Sequence, residues 1–344
     1  MFKSRRAAER VRDALYNKGM KRLLITMGDV AGIGPEIIAR AWPELLTIGT
    51  PVVVGDVGWL RRALDLVGSA ATVQDVSVPS EAWPASDVVP CLSATDQDLR
   101  GVRPGVVSAA AGRAAYDFLR VAIDATLAGF ADAIVTCPLH KEGLHAAGVP
   151  HPGHTEILAE RTGAKRHAML LYGDGVTVAH VTLHMALRDV FAHLRLESVR
   201  ATIELLHGIL PKLLDGRRPR IGVCALNPHA SDGGLFGDEE ARIIAPAVEQ
   251  AKCDGVNVTG PIPSDALWVR AAAGEFDGVV AMYHDEGHIA MKMRSGKRAV
   301  NITAGLPIVR TSVAHGTAYD IAGRGVADPQ SLIEAARLAV KLAS

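Results

Sequence analysis

The residues in this chain best equipped for chemistry are its imidazoles. All thirteen histidines lie between His140 and His315. The densest group sits in FDGVVAMYHDEGHIAMK, residues 276–292, where His284, Asp285, Glu286, His288 and Lys292 follow an apolar run from Val279 to Met282. Two other segments repeat the arrangement: VTVAHVTLHMALRDV carries His184, and RIGVCALNPHASDGG carries His229. His184, His229 and His284 thus each follow an apolar strand at its polar end. Three imidazoles in equivalent topological places suit a divalent metal with open positions. One such histidine alone is more often a structural hydrogen bonder. The spacing His284-x-x-x-His288 is not the zinc-protease helix, because Asp285 stands where that motif needs Glu and Gly287 interrupts the helix.

Weaker signals accompany these. In VPHPGHTEILAER, His154 and Thr155 precede a helix that Glu156 begins, a place to bind an anion or simply a cap made by Thr155. In MGDVAGIGPE, Gly28, Gly32 and Gly34 lead into a helix opened by Pro35. Backbone N–H groups there suit an anion or cofactor, or a tight turn; the spacing is not the Rossmann fingerprint. Asp265 lies near a helix start, as a proton acceptor or an N-terminal charge. Asn301 and Arg310 flank a strand pair, and His315-Gly316 opens a loop too rich in glycine to be core.

The elements that must position these residues are short apolar runs bounded by turn residues: 23–26, 51–56, 133–136, 221–226 and 279–282. They read as buried strands of an open α/β sheet, whose ligands sit beyond the carboxyl ends of the strands. By period-two alternation His180, Thr182 and His184 share a face, with His184 at its strand's end. Helices are expected from about Ser108 to Ala128 and from Pro329 to Ala343. Residues 80–105, rich in Pro, Ser and Asp, read as a long loop or hairpin. At 344 residues with 37 Lys+Arg against 37 Asp+Glu, the chain can form two α/β lobes, and nothing in its charge invites nucleic acid. No apolar run reaches membrane-spanning length. Cys91, Cys137, Cys224 and Cys253 lack C-x-x-C spacing, which suggests reduced thiols in a cytoplasm. Residues 1–20 form a basic extension, and Glu9 and Asp13 argue against a targeting peptide.

Taken together, MGDVAGIGPE, GHTE, TLHMALRD, NPHASDGG, YHDEGH and NITAGLPIVRTSVAHGTAYDIAGRG resemble the 4-hydroxythreonine-4-phosphate dehydrogenase family, from about residue 21 to the C-terminus. The resemblance implies a fold like that of isocitrate and isopropylmalate dehydrogenases, with two α/β/α lobes around a cleft. Expected boundaries are 21–130 plus 303–344 for the first lobe and 131–302 for the second, which would carry the metal and substrate residues. It further implies a homodimer whose metal is held by His184, His229 and His284, one of them from the neighbouring chain. Substrate contacts would fall on His154, Thr155, Lys292, Asn301 and Arg310. The loop from His315 and Gly316 is similar to an adenosine-binding loop, in which Asp320 would favour NAD over NADP; Gly32 and Gly34 are the other candidate cofactor contacts.

The implied reaction is oxidation of a secondary alcohol β to a carboxylate, followed by loss of carbon dioxide, on a 4-phosphorylated four-carbon 3-hydroxy acid. The cofactors would be NAD and one divalent metal, Zn, Co, Ni, Mn or Mg, with Lys292 or Asp265 as proton carrier. The commonest biosynthetic form reads H-D-Q-G, whereas this chain has Glu286 and His288. The D-E-G-H form resembles relatives acting on 4-phospho-D-threonate and giving dihydroxyacetone phosphate. Val30 stands where a proline is frequent. A more distant alternative is an acyl or phosphate transferase of similar architecture.

Overall fold

The structure is a computed structural model that describes residues 19–344. The expected basic extension, residues 1–20, thus lies almost wholly outside the described residues. The chain divides into two compact units, one ending its first part at Ala164 and resuming over Pro307–Ala343, the other spanning Lys165–Leu306. The first unit opens with β1 (Arg22–Thr26), α1 (Gly34–Ile48), β2 (Thr50–Gly55), α2 (Val57–Leu66), β3 (Thr72–Val76) and β4 (Val88–Ser93). It continues through α3 (Ala109–Leu127), β5 (Ala133–Thr136), α4 (Lys141–Ala146) and α5 (His154–Thr162). The second unit holds β6 (Ala168–Gly173), β7 (Val176–His180), α6 (Leu187–His193), α7 (Leu196–Leu213) and β8 (Ile221–Cys224). It ends with α8 (Ala245–Cys253), β9 (Val258–Ile262), α9 (Ser264–Ala272), β10 (Gly278–Ala281), α10 (His284–Ser295) and β11 (Val300–Ala304). The chain then returns to the first unit with β12 (Val309–Val313) and α11 (Gln330–Leu342).

In the first unit the strands run β3-β4-β2-β1-β5-β12, every pair parallel. Leu23, Leu24 and Ile25 of β1 are fully buried, as expected for a central parallel strand covered on both faces. Helices α1, α2 and α11 pack together in one layer, and α3, α4 and α5 in another. The first helix buries Ile37, Ile38, Ala41, Trp42 and Leu45 at three-to-four-residue spacing, and Asp56 and Ser108 cap α2 and α3 through their side chains. The second unit's strands run β11-β6-β7-β10-β8-β9. Its β11–β6 and β6–β7 pairs are antiparallel, while β7–β10–β8–β9 are parallel. Helices α7 and α10 both pack on β6, β7 and β10.

Four sequence expectations change. Residues 131–164 belong to the first unit, because β5 completes that unit's sheet between β1 and β12. His154 and Thr155 therefore belong with Arg310 to the first unit, while His184, His229 and His284 belong to the second. The segment read as a long loop or hairpin contains β4, a strand parallel to both β2 and β3 and masked in sequence by Pro90. The strand before His184 ends at His180. Finally, Gly287 does not interrupt a helix: α10 runs unbroken through it.

Candidate functional site

In the second unit, β10 delivers the chain into α10 at His284. The carboxylate of Glu286 accepts from the backbone N–H groups of Met282 and Tyr283 and from Ser264 Oγ. Burial pushes that carboxyl up to about 7. It seals the start of the helix, and Trp268 Nε1 donates to the Glu286 carbonyl at 3.0 Å. Gly287 follows because nothing larger fits: a Cβ there would lie 2.3 Å from His180 Nε2.

That packing assembles four imidazoles. The His284 and His288 rings stack at 3.8 Å with 10° between planes, and His288 Nδ1 lies 3.1 Å from His180 Nε2. The His184 ring is 6.0 Å from that of His284. Burial and the neighbouring histidines pull His180 down to about 3 and His288 down to about 4. Both are neutral at pH 7. Nδ1 of His284 is 2.6 Å from Asp285 Oδ1, the carboxylate orientation common behind a metal-ligating imidazole, leaving Nε2 for a cation. His284 could thus serve a divalent ion as a donor, with the His184 ring beside it. His288 stacks on His284 and His180 lies against His288, an arrangement that the assumed break at Gly287 conceals in the sequence.

The third predicted ligand sits elsewhere on its own loop. His229 is exposed, with its ring 6.4 Å from that of Phe236. Among the described residues no group of three or more His, Cys, Asp or Glu side chains is arranged to hold an ion. His229, Ala230, Ser231, Asp232 and Gly233 have φ of 56°, 53°, 68°, 44° and 71°. A left-handed run costs roughly 1–2 kcal/mol per L-residue, so something must hold it. Glu240, 4% exposed, accepts from Leu226 N at 2.8 Å, Asn227 N at 2.7 Å, Asn227 Nδ2 at 3.0 Å and Ser231 Oγ. Burial pushes its carboxyl up, but these bonds outweigh burial and hold it below the usual range.

Of the remaining candidates in this unit, Lys292 is exposed two turns after His284 on α10. Asp265 is exposed in the first turn of α9, where Oδ1 accepts from Ala266 N at 2.8 Å. Asn301 is half-buried on β11, opposite Leu171.

In the first unit, Arg310 of β12 is buried and donates to Thr136 Oγ1 at 2.6 Å. Burial pulls its guanidinium down to about 9, opposed by Glu156, so it remains charged at neutral pH. Beside it is His154, the first residue of α5, held neutral by burial and by that positive charge. Its Nε2 is sealed from solvent with no hydrogen-bond partner. The cap position of this helix is Gly153, so Thr155, its second residue, is not the cap that the sequence allows for. A buried cation beside an unmatched imidazole nitrogen suits an anion, and a phosphate group above all.

The glycine loop before α1 is differently used. Ala31 N, Gly32 N and Ile33 N donate to Asp29 Oδ1, Asp29 O and Thr317 O. A Cβ on Gly32 would lie 2.8 Å from Thr317 O, and one on Gly34 2.1 Å from Met27 O. These glycines admit the protein's own backbone, and the N–H groups expected to meet a cofactor are largely spent. They nevertheless bring the loop against the segment carrying His315, Gly316 and Asp320, all three exposed. Tyr319 donates to the buried Asp29 at 2.8 Å and stacks on His140 at 4.6 Å. The Asp29–Tyr319 bond, between residues 290 positions apart, has no signal in the sequence.

Comparison with known proteins follows the same lines. The profile of the family described as pyridoxal phosphate biosynthetic protein PdxA matches residues 47–339. The chain is 44% identical to D-threonate 4-phosphate dehydrogenase of Pectobacterium atrosepticum, over 94% of this chain and 99% of that one. It is also 44% identical to 4-hydroxythreonine-4-phosphate dehydrogenase of Desulforapulum autotrophicum, over 92% and 93%. A crystal structure of 4-hydroxythreonine-4-phosphate dehydrogenase from Klebsiella pneumoniae superimposes with a TM-score of 0.87 at 43% identity, covering 95% of this chain and 99% of that one.

Proposed function

The chain belongs to the PdxA family, and from that premise we propose that it is a dehydrogenase acting on the CH–OH group of a 4-phosphorylated four-carbon 3-hydroxy acid, using NAD and a divalent metal and releasing carbon dioxide. The observation that carries this reading is buried Arg310 beside His154, whose sealed Nε2 lacks a partner. With Thr155 they would grip the phosphate; Lys292 and Asn301 are the substrate contacts proposed on the second unit. His184, His229 and His284 would hold the metal, one of them supplied by the partner of a homodimer. When bound, the cation supplies a Lewis acid that favours alkoxide and enolate charge, and NAD accepts the hydride. The imidazoles contribute no negative charge of their own to weaken that field. Between the two candidate proton carriers, Lys292 is favoured by sharing α10 with His284, whereas Asp265 is engaged at its own helix start. His315, Gly316 and Asp320 would receive the adenosine end of NAD, with Gly32 and Gly34 allowing the close approach of the two loops beneath it.

Residues of α9 and α10 support the homodimer: Val269 and Met293 are 71% and 84% exposed, with Ile289 exposed nearby. No described helix is long and apolar enough to cross a membrane. Four free cysteines, three of them buried, suit a reducing cytoplasm.

Within this class D-threonate 4-phosphate is a specific second reading, favoured by the Pectobacterium relative and by the Glu286 and His288 pair. Both side chains act on how His284 is held. The test is a side-by-side assay of NADH formation from D-threonate 4-phosphate and 4-hydroxythreonine 4-phosphate, with and without a chelator. Chelator-sensitive turnover of at least one is expected. Turnover of neither, with metal and NAD supplied, overturns the reading.

A further inference from the structure

We infer that Glu240 is the positioning residue for His229: by holding Leu226 N, Asn227 N, Asn227 Nδ2 and Ser231 Oγ at once, it keeps the His229–Gly233 segment in its left-handed run and so presents the imidazole to a metal. This rests on the reading of His229 as a ligand and says how the chain prepares it.

Backbone bonds at its flanks include Ala230 N to Asn227 O at 3.2 Å, Phe236 N to Ser231 O at 3.2 Å and Leu235 N to Ser231 O. Four of the five left-handed residues carry a side chain and disfavour that conformation. Glu240 grips both ends of the turn: its first oxygen fixes the backbone entering at Leu226 and Asn227, and its second fixes Asn227 Nδ2 and Ser231 in the middle of the run. It also begins a π-helical turn, Glu240–Ile244, a local widening found often at functional sites. Next to it, Glu239 Oε2 accepts from Asn227 Nδ2 at 2.8 Å. A glutamine at 240 keeps one carbonyl oxygen for the two backbone donors, but turns an amide donor toward Asn227 Nδ2. Two donors then face each other at Asn227, and Ser231 keeps only a neutral amide as its partner, so the run is held less firmly.

The test is titration of the full-length apoprotein with Co(II), following the visible ligand-field bands, on the wild type and on E240Q, H229A and E240Q/A230G. Glycine at 230 adopts positive φ without a Cβ penalty, so it should restore the run without Glu240. Expected are a roughly 10-fold or greater weakening in E240Q with altered band shape and unchanged far-ultraviolet circular dichroism, and recovery of most of the affinity in E240Q/A230G. E240Q binding as tightly as the wild type while H229A binds poorly overturns the clamp and leaves the ligand assignment standing. A wild type that binds no Co(II), or an H229A that binds as well as the wild type, overturns the ligand assignment and the clamp with it. Should E240Q fail to fold, S231A removes a single donor from the same carboxylate; undiminished affinity there would also count against the inference.

Discussion

At the scale of single residues, the sharpest expectation concerns Arg310. Its guanidinium is buried, the Glu156 carboxylate favours its charge, and its bond to Thr136 sets its fork in place. Removing it as Arg310→Met should raise KM for a 4-phosphorylated substrate by roughly 10–100-fold, the range for a hydrogen bond to a charged group. Co(II) binding should be unaffected. Arg310→Lys should recover only part of the loss, because an ammonium keeps the charge and loses the planar fork. Steady-state kinetics on the three proteins decide it; an unchanged KM in Arg310→Met would remove the phosphate assignment. In the sequence His184, His229 and His284 stand out by type and by place after apolar runs, whereas His154 is marked only by preceding a helix and Arg310 by flanking a strand pair. What the sequence could not carry were the partners. Glu240 reads as an ordinary acidic residue at a helix start, and nothing near Asp29 announces a bond to Tyr319.

At the scale of elements, α10 shows why local pattern misled. Glycine normally weakens a helix interior, by about 1 kcal/mol relative to alanine, and a break after Glu286 was the natural reading. Here the His180 ring occupies the space that a side chain at 287 would need. Gly287→Ala should therefore destabilise the protein by about 1–3 kcal/mol, as overpacking does, against the sign that helix propensity gives. A thermal melt tests the sign directly: a raised Tm would show that the His180–Gly287 contact relaxes freely. The β4 strand was hidden for a related reason, because Pro90 is a poor strand residue unless its lost donor is tolerated by position. By contrast β1, β2, β5 and β10 were legible as apolar runs, since strands buried on both faces need little else. An ion pair reinforces the start of the β8–β10 strand pair. Asp277 accepts from Arg217 Nη2 at 2.7 Å and from Arg220 N at 2.9 Å. Burial pushes its carboxyl up, but these bonds dominate and bring it down to about 2, below the usual carboxylate range. A carboxyl whose folded value is depressed stabilises above the unfolded value and loses that contribution as pH falls through the folded one. Between pH 4 and 2, Tm should drop less steeply in Asp277→Asn than in the wild type; equal slopes would assign the acid sensitivity elsewhere.

For the whole molecule, the decisive question is whether one chain suffices. Within the described residues His184 and His284 approach each other, while no third histidine, cysteine or carboxylate completes a cage with them. Met293 and Ile289 on α10 and Val269 on α9 are large apolar side chains left exposed. The two helices are linked by Trp268 Nε1 to Glu286 O and by Arg294 Nη1 to Ala272 O at 3.3 Å. On the proposed reading, a second copy would cover α9 and α10 and bring its own histidine to the ion. Placing charge on that face, as Ile289→Glu/Met293→Glu, would bury carboxylates without partners, at a cost of several kcal/mol. Sedimentation equilibrium should then show a dimer for the wild type and a monomer for the variant at micromolar concentration. If the site is shared, Co(II) affinity must fall in step with dissociation and recover as the concentration is raised. A variant that becomes monomeric and still binds Co(II) as the wild type does would mean that each chain completes its own cage, and the three-imidazole site would have to be redrawn within one protomer.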